Sequence, residues 1–369
     1  MIAWCESMNE TLTNKQIAFV IFQIVVGYGI VSLPKKVAEI GGSGGWITLL
    51  ISTLIFIFIT NVFLYLGYTH KNQTLYEYSE SLVGKYISKL IVVIYIIYFT
   101  LFSTSLIRIS SETIKISVFE KTPTIVFVIN FYLILYYTII KRLRVFARLS
   151  EIYGIIFIVT ILVIQFIMFT SGDYINLRPF IVIDDIPTYL AGIPKVLFSF
   201  YGVELIAIIP LSAKNNKNVF KYSSIMVGFI GFLYIIIVES CISLMGVDNI
   251  IYYEDALFVA IRRLDISYLE FLRRPDGIFI MAWLMSLICT IIGTAYGAVV
   301  LLSKLFNKIP FNLITAFYVL MSFTICMMPK SMFEAKDLVT FFNNFGVITV
   351  FIIPLILCII TKVKNRNKT

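Results

Sequence analysis

The sequence predicts an all-α polytopic membrane protein of ten transmembrane helices, arranged as two five-helix repeats of opposite orientation. Three observations carry this reading. The 369 residues are 59% hydrophobic and 14% charged, with a mean hydropathy of +0.94, more apolar surface than a water-soluble chain of this length can hide. Continuous apolar stretches of about 20 residues, the length that crosses a bilayer core, recur from end to end. They lack the ten-residue alternation of a membrane barrel, and only helices and closed barrels satisfy every backbone group in lipid. Finally, glycine- and proline-bearing interruptions stand at the start of each half.

The expected spans, numbered 1 to 10 below, cover 15–40, 45–69, 87–116, 123–140, 148–170, 189–212, 220–245, 277–303, 310–328 and 338–361. Short polar connections join most of them. The two longer connections are 171–188 and 246–276, the latter with a surface helix expected around Asp255–Leu264. The whole chain, 1–369, reads as one integral membrane domain, its first repeat over about 15–170 and its second over about 189–361.

Charge sets the expected orientation. Of the 30 Lys and Arg residues, 17 fall in the N-terminal flank, the even-to-odd connections and the C-terminal tail. Basic residues concentrate on the cytoplasmic side of short loops, so both termini are expected in the cytoplasm. The same flanking residues account for the net charge of +9 without a nucleic-acid partner. The segment before span 1, with Glu6 and Glu10 and no basic start, is not expected to be a cleavable signal. The five cysteines form no Cys-x-x-Cys pair and four lie inside apolar runs, a pattern of packing rather than of disulfides or metal ligands. The single histidine, His70, lies in a polar loop, and no His-Glu-x-x-His occurs. The chain is therefore expected not to be an enzyme, and no cofactor is implied.

Span 1 contains "VVGYGIVSLP" at 25–34, and span 6 contains "SFYGVELIAIIP" at 199–210. Glycine inside a helix costs roughly 1 kcal/mol relative to alanine and proline about 3, so both segments read as breaks. Paired interruptions at corresponding positions of two halves point to an inverted-repeat transporter with its binding site at the breaks. The N-terminal end of a half-helix offers free N–H donors and partial positive charge to a carboxylate. The facing end offers carbonyls to an ammonium group, so a zwitterionic amino acid complements both. Gly27 and Gly29 would let such a ligand approach the backbone with no Cβ in the way. Tyr28 and Ile30 in span 1, Phe200, Tyr201, Gly202 and Glu204 in span 6 complete the expected lining. Ser103, Thr290 and Thr294 are candidate side-chain hydrogen-bonding groups, and Arg108 and Glu239 are the other deep ionisable residues. A charge at mid-bilayer is costly and usually faces the bundle interior, which marks Glu204 for the site or its gate.

These residues resemble the amino acid–polyamine–organocation superfamily, with its Gly-x-Gly break in the first helix. Within it, the chain resembles the B subunits of bacterial spore germinant receptors (GerAB/GerKB type) over nearly its whole length. The likeness rests on "GYGIVSLP", on "FYGVE", and on "RRPDGIFIMAW" at 273–283, where Arg274, Asp276 and Trp283 match an Arg-x-acidic…Trp pattern ahead of span 8. The resemblance implies a LeuT-like fold in the spore inner membrane that recognises a small germinant, often an amino acid. It also implies a complex with an A-type membrane subunit and a lipoprotein C subunit. By the same resemblance Gly27, Tyr28, Gly29, Tyr201, Gly202 and Glu204 are the ligand-binding positions. Some members place a lysine in span 5 where others hold sodium, and here 153–170 has none, so the coupling ion stays open. A working amino-acid permease needs the same site and is the alternative reading.

Overall fold

The computed structural model describes residues 12–117, 119–212, 215–264 and 275–366, without the side chains of Tyr28, Ser117, Met332 and Phe333. Cys5, Glu6, Glu10 and Arg274, and Lys214 and Lys368 among the 17 basic residues counted above, lie outside the described residues. Among the described residues, six helices are long and apolar enough to cross a membrane alone: Trp46–Thr69 (span 2), Lys85–Ser117 (span 3), Arg142–Ser171 (span 5), Val219–Met245 (span 7), Pro275–Leu305 (span 8) and the run that ends at Arg366 (span 10). Spans 4 and 9, Thr124–Ile140 and Phe311–Met327, have 17 residues each, or about 25 Å of helix. Spans 1 and 6 are broken.

Span 1 begins at a capping box. Thr13 Oγ1 accepts from the Gln16 backbone N–H at 3.2 Å, and Gln16 Oε1 accepts from the Thr13 N–H at 3.1 Å. Its first half, Asn14–Gly29, gives way to a turn over 30–32, and a second half runs over Leu33–Gly41 with Pro34 in its first turn. Proline is tolerated there because the first N–H groups of a helix have no partner to lose.

Span 6 departs from the expected helix over 189–212. Its α-helix is Ile186–Leu197, followed by one 3₁₀ turn over Phe198–Phe200. Tyr201 is then extended (φ −62°, ψ 146°), and Gly202 sits at φ +123°, where only glycine is unstrained. The remainder is a 3₁₀ helix, Val203–Ile208, ending in extended Ile209. Pro210 supplies the reason, because it disfavours helical backbone in the residue before it.

Span 8 packs against spans 1, 3 and 5, and span 7 against spans 1 and 2. The second spans of the two halves thus pair with each other, as do the third spans. Cys241, Cys289, Cys326 and Cys358 are buried and form no disulfide among the described residues. The short helices Leu75–Val83 between spans 2 and 3, and Val247–Ile250 and Ala256–Arg262 between spans 7 and 8, cap opposite ends of the bundle. Only the last was expected from sequence. Span 10 is one continuous run of Met332–Gly346, a π-helical stretch Val347–Ile352 and Ile353–Arg366. The outward faces of spans 4, 5 and 9 carry Leu133, Phe166 and Phe317, all more than 60% exposed, as a lipid boundary requires.

Candidate functional site

The breaks free backbone carbonyls that helices would otherwise satisfy, and side chains from neighbouring spans take them up. The Tyr234 hydroxyl of span 7 points at both breaks, 2.9 Å from the Ser199 carbonyl and 3.1 Å from that of Val25. Thr290 Oγ1 of span 8 donates to the Gln23 carbonyl at 2.8 Å. The Val31 carbonyl, inside the span 1 turn, accepts from the Leu257 N–H at 3.3 Å.

Glu204 closes the span 6 break from within. One carboxylate oxygen accepts from the Gly202 N–H at 2.8 Å, and the other accepts from the Tyr98 hydroxyl of span 3, also at 2.8 Å. The residue is fully buried. Tyr201 lies against Gly346 of span 10, and its hydroxyl is 3.4 Å from the Asn343 carbonyl. Phe200 stacks on Phe56 with ring centroids 5.1 Å apart and meets Tyr234 edge-on.

The glycines make room for protein. A Cβ on Gly27 would overlap Thr290 Oγ1 and stand 2.9 Å from the Ser286 carbonyl oxygen. On Gly29 it would stand 2.7 Å from Ser199 Cβ, and on Gly202 it would overlap Ile24. Spans 1, 6 and 8 therefore meet backbone to backbone at the breaks. The space that the sequence reading left for a ligand backbone at these glycines is filled by Thr290, Ser199 and Ile24.

Open space begins next to Gly27 instead. A cavity of about 330 Å³ runs from Gly27 past Val31, Ser32 and Lys36 of span 1 to Glu254 and Asp255 in the span 7–8 connection. Its other walls are Leu106, Ile109, Ser110 and Thr113 of span 3, Trp283 and Leu287 of span 8, and Lys336, Val339, Thr340 and Asn343 of span 10. The volume falls in the range of small-molecule sites. At its mouth Lys35 donates to Glu254 at 2.5 Å, and Lys336 reaches the other Glu254 oxygen at 3.4 Å. The Lys35 hydrogen bond holds the Glu254 carboxyl below its ordinary value, with Lys336 adding to the effect against partial burial. This clamp ties span 1 to span 10 through the connection.

The opposite end of the bundle, where Leu12 and Lys364 lie, is tied shut. Asn216 donates to the Leu12 carbonyl and accepts from the Ser212 N–H, both at 2.9 Å. The Asn72 N–H donates to the Leu211 carbonyl at 3.0 Å, Lys364 to the Ser81 carbonyl at 2.7 Å, and Lys304 pairs with Glu77. His70 stacks on Tyr78 there, and burial, with Lys364 near, lowers its affinity for a proton.

Of the residues singled out from sequence, Gly27 lines the cavity. Gly29, Ile30, Phe200, Tyr201, Gly202, Glu204 and Thr290 are brought together at the breaks beneath it. The Tyr28 side chain lies outside the described residues. Thr294 donates to carbonyls of its own helix, and Ser103 is 2.8 Å from the Tyr318 hydroxyl of span 9. Arg108 pairs with Glu112 one turn on, at 3.1 Å. Both Glu239 oxygens are buried without a hydrogen-bond partner among the described residues. Gly41–Gly45 spells Gly-x-Ser-x-Gly, but Ser43 donates to the Pro179 carbonyl, and His70 lies at the other end of the molecule. Tyr98, Tyr234, Lys36, Lys336 and Asn343 were not expected at the site. Tyrosines within apolar runs and one lysine, Lys36, inside a predicted span were the only signals available.

The fold is that of known transporters. A Na⁺-coupled sialic acid symporter in a substrate-bound outward-open state superposes with a TM-score of 0.68 at 12% identity, covering 93% of this chain and 78% of the symporter. Mhp1, a nucleobase-cation-symport-1 family transporter, gives 0.65 at 8% identity, covering 94% and 77%. In sequence, the chain is 26% identical to spore germination protein YndE of Bacillus subtilis over 367 residues, 98% of this chain and 99% of YndE. It is 26% identical to spore germination protein A2 of the same organism, with 95% of each covered, and 23% identical to GerLB of Bacillus cereus, with 97% and 96% covered. The family described as spore germination protein matches residues 11–335. The chain, a ten-span membrane protein of the LeuT-like transporter fold, belongs to the spore germination protein family.

Proposed function

We propose that this protein is the germinant-sensing subunit of a spore germination receptor, binding a small nutrient, an amino acid in the first instance, in the cavity above the broken spans. The observation that carries this reading is the cavity itself. It opens from the break of span 1 toward the loop-bearing end, while the opposite end is held shut by Asn216, Asn72 and Lys364. A transporter scaffold closed on one side and open on the other presents a site to one compartment, which is what a sensor needs. Ligand contacts with the cavity-facing parts of spans 1, 3, 8 and 10 would bias the clamp at Glu254, and the fully buried pair of Glu204 and Tyr98 would pass the change to span 6.

The receptor assembles, in this reading, with an A-type membrane subunit and a lipoprotein C subunit in the spore inner membrane, with both termini cytoplasmic. An externally added impermeant thiol reagent should then label Tyr252→Cys, which is 78% exposed at the cavity end, in right-side-out vesicles.

The deciding experiment measures binding of amino acids, sugars and nucleosides to the purified protein, followed by uptake of any ligand into proteoliposomes. Saturable binding without sustained uptake is expected. Sustained uptake would favour the permease reading, and no binding by any compound would overturn the sensing role.

A further inference from the structure

Four polar groups on the cavity wall have capacity to spare. Lys36 Nζ stands 3.6 Å from the centre of the Phe198 ring and makes no salt bridge or hydrogen bond among the described residues, though the Glu254 and Glu39 carboxylates lie close enough to attract it. A cation is attracted to a ring face, yet its three N–H donors remain unused. Trp283 is 6% exposed, and its indole N–H has no acceptor among the described residues. Asn343 Oδ1 is buried and accepts from no donor among the described residues. Glu254 is engaged by Lys35 and Lys336, which leaves Asp255 as the wall's unengaged carboxylate among the described residues. A buried donor or acceptor without a partner is costly, and two such atoms, Trp283 Nε1 and Asn343 Oδ1, on one cavity wall with half-buried Lys36 mark where a ligand's polar atoms belong.

We infer that the cavity holds a small zwitterion in one fixed sense, its carboxylate on Lys36 and the Trp283 N–H and its ammonium on Asn343 Oδ1 and Asp255. The charges decide against a phosphate or a dicarboxylate. Lys36 and Lys336 are balanced by Glu254 and Asp255 on the same wall, so a dianion gains one free ammonium and meets two carboxylates. A ligand of zero net charge with separated ends matches the wall as it stands. Leu106 and Val339 supply apolar surface for the remainder of the molecule. The carboxylate therefore meets a side-chain cation in the second half of span 1, rather than the backbone donors of the break. This inference rests on the proposed sensing role and adds to it which chemical groups are read, and by which residues.

The test uses the full-length protein in lipid nanodiscs and calorimetry with L-alanine, L-valine and L-leucine. Their decarboxylated amines (ethylamine, isobutylamine and isoamylamine), glucose and inosine complete the panel. At least one amino acid should bind, and its amine should bind at least about tenfold more weakly. Lys36→Met should weaken the amino acid by about tenfold or more and leave the amine unchanged, a split that a merely structural lysine would not produce. Trp283→Phe, which keeps the ring and removes only the N–H donor, should weaken the amino acid by a smaller factor and serves if Lys36→Met does not fold. Equal affinity for amino acid and amine, wild-type amino-acid affinity in whichever of these variants folds, or binding of glucose or inosine alone would overturn the inference while leaving a ligand-sensing protein. Failure of every probe would overturn the sensing role and the inference together.

Discussion

Tyr234 of span 7 donates its hydroxyl to the carbonyl of Ser199, at 2.9 Å, at the point where span 6 leaves its α-helix. The same oxygen is 3.1 Å from the Val25 carbonyl of span 1. One side chain thus reaches both interrupted helices, and the ring is wholly buried between them. The breaks are held by a third span, not left to face lipid, which is the condition under which irregular backbone survives at membrane depth.

Tyr234→Phe should therefore destabilise the protein without emptying the core. The ring packing stays, and the lost hydroxyl leaves a buried carbonyl short of a donor, which costs about 1–3 kcal/mol. Thermal unfolding followed by size-exclusion chromatography in detergent should show a clear drop in midpoint. A midpoint equal to wild type would mean that the Ser199 carbonyl finds another donor.

The glycine contacts make a prediction with two signs. Gly29→Ala places a Cβ 2.7 Å from Ser199 Cβ and 2.8 Å from Ser199 Cα, so spans 1 and 6 must separate. Overpacking of this kind costs about 1–3 kcal/mol. Gly277→Ala, in the first turn of span 8, meets nothing within 4 Å and should be neutral or stabilising by up to about 1 kcal/mol. Equal effects of the two substitutions on the unfolding midpoint would rule out close packing as the role of Gly29.

Both breaks were legible in the sequence because glycine and proline punctuate an otherwise continuous apolar run. Their filling was not. The volume freed by Gly27 or Gly29 invites a ligand or a neighbouring span equally, and only the three-dimensional neighbours, Thr290 and Ser199, decide which enters. Lys36 carried no signal of its own, since nothing linear places it over Phe198 and on one cavity wall with Glu254. The 3₁₀ course of 203–208 was hidden for a related reason: apolar runs of six residues fit several helical forms. Glu204 stood out as a charge in an apolar segment, but its partner Tyr98 lies 106 positions away.

The clamp at the cavity mouth should be sensitive to acid. Glu254 has its carboxyl held below the ordinary 4.5 by its hydrogen bond from Lys35, with Lys336 contributing. A depressed carboxyl stabilises the folded state above its unfolded value, and that contribution disappears as pH falls through the folded value. The difference in unfolding midpoint between wild type and Glu254→Gln should thus be constant above pH 4.5 and shrink below it. A difference that grows on acidification would assign the clamp to some other group.

Glu204 carries the last prediction. Its two oxygens accept from the Gly202 N–H and the Tyr98 hydroxyl, and the residue is not on the cavity wall. Glutamine offers one acceptor oxygen, which the Gly202 N–H can use, and one amide donor, to which Tyr98 can respond by turning its hydroxyl. Glu204→Gln should accordingly fold at a cost of about 0.5–1.5 kcal/mol, since both hydrogen bonds can be kept with one of them reversed. Glu204→Leu strands the Gly202 N–H in a buried position and should cost about 3 kcal/mol or more. If Glu204 acts by holding the break, Tyr98→Phe and Glu204→Gln should shift the affinity for a bound amino acid by similar, small factors. A role in direct contact with the ligand amine predicts instead that Glu204→Gln weakens binding far more than Tyr98→Phe. The geometry favours the first outcome, because both carboxylate oxygens already have donors and neither borders the cavity. Measured dissociation constants for the three proteins, compared at equal folded fraction, separate the two roles.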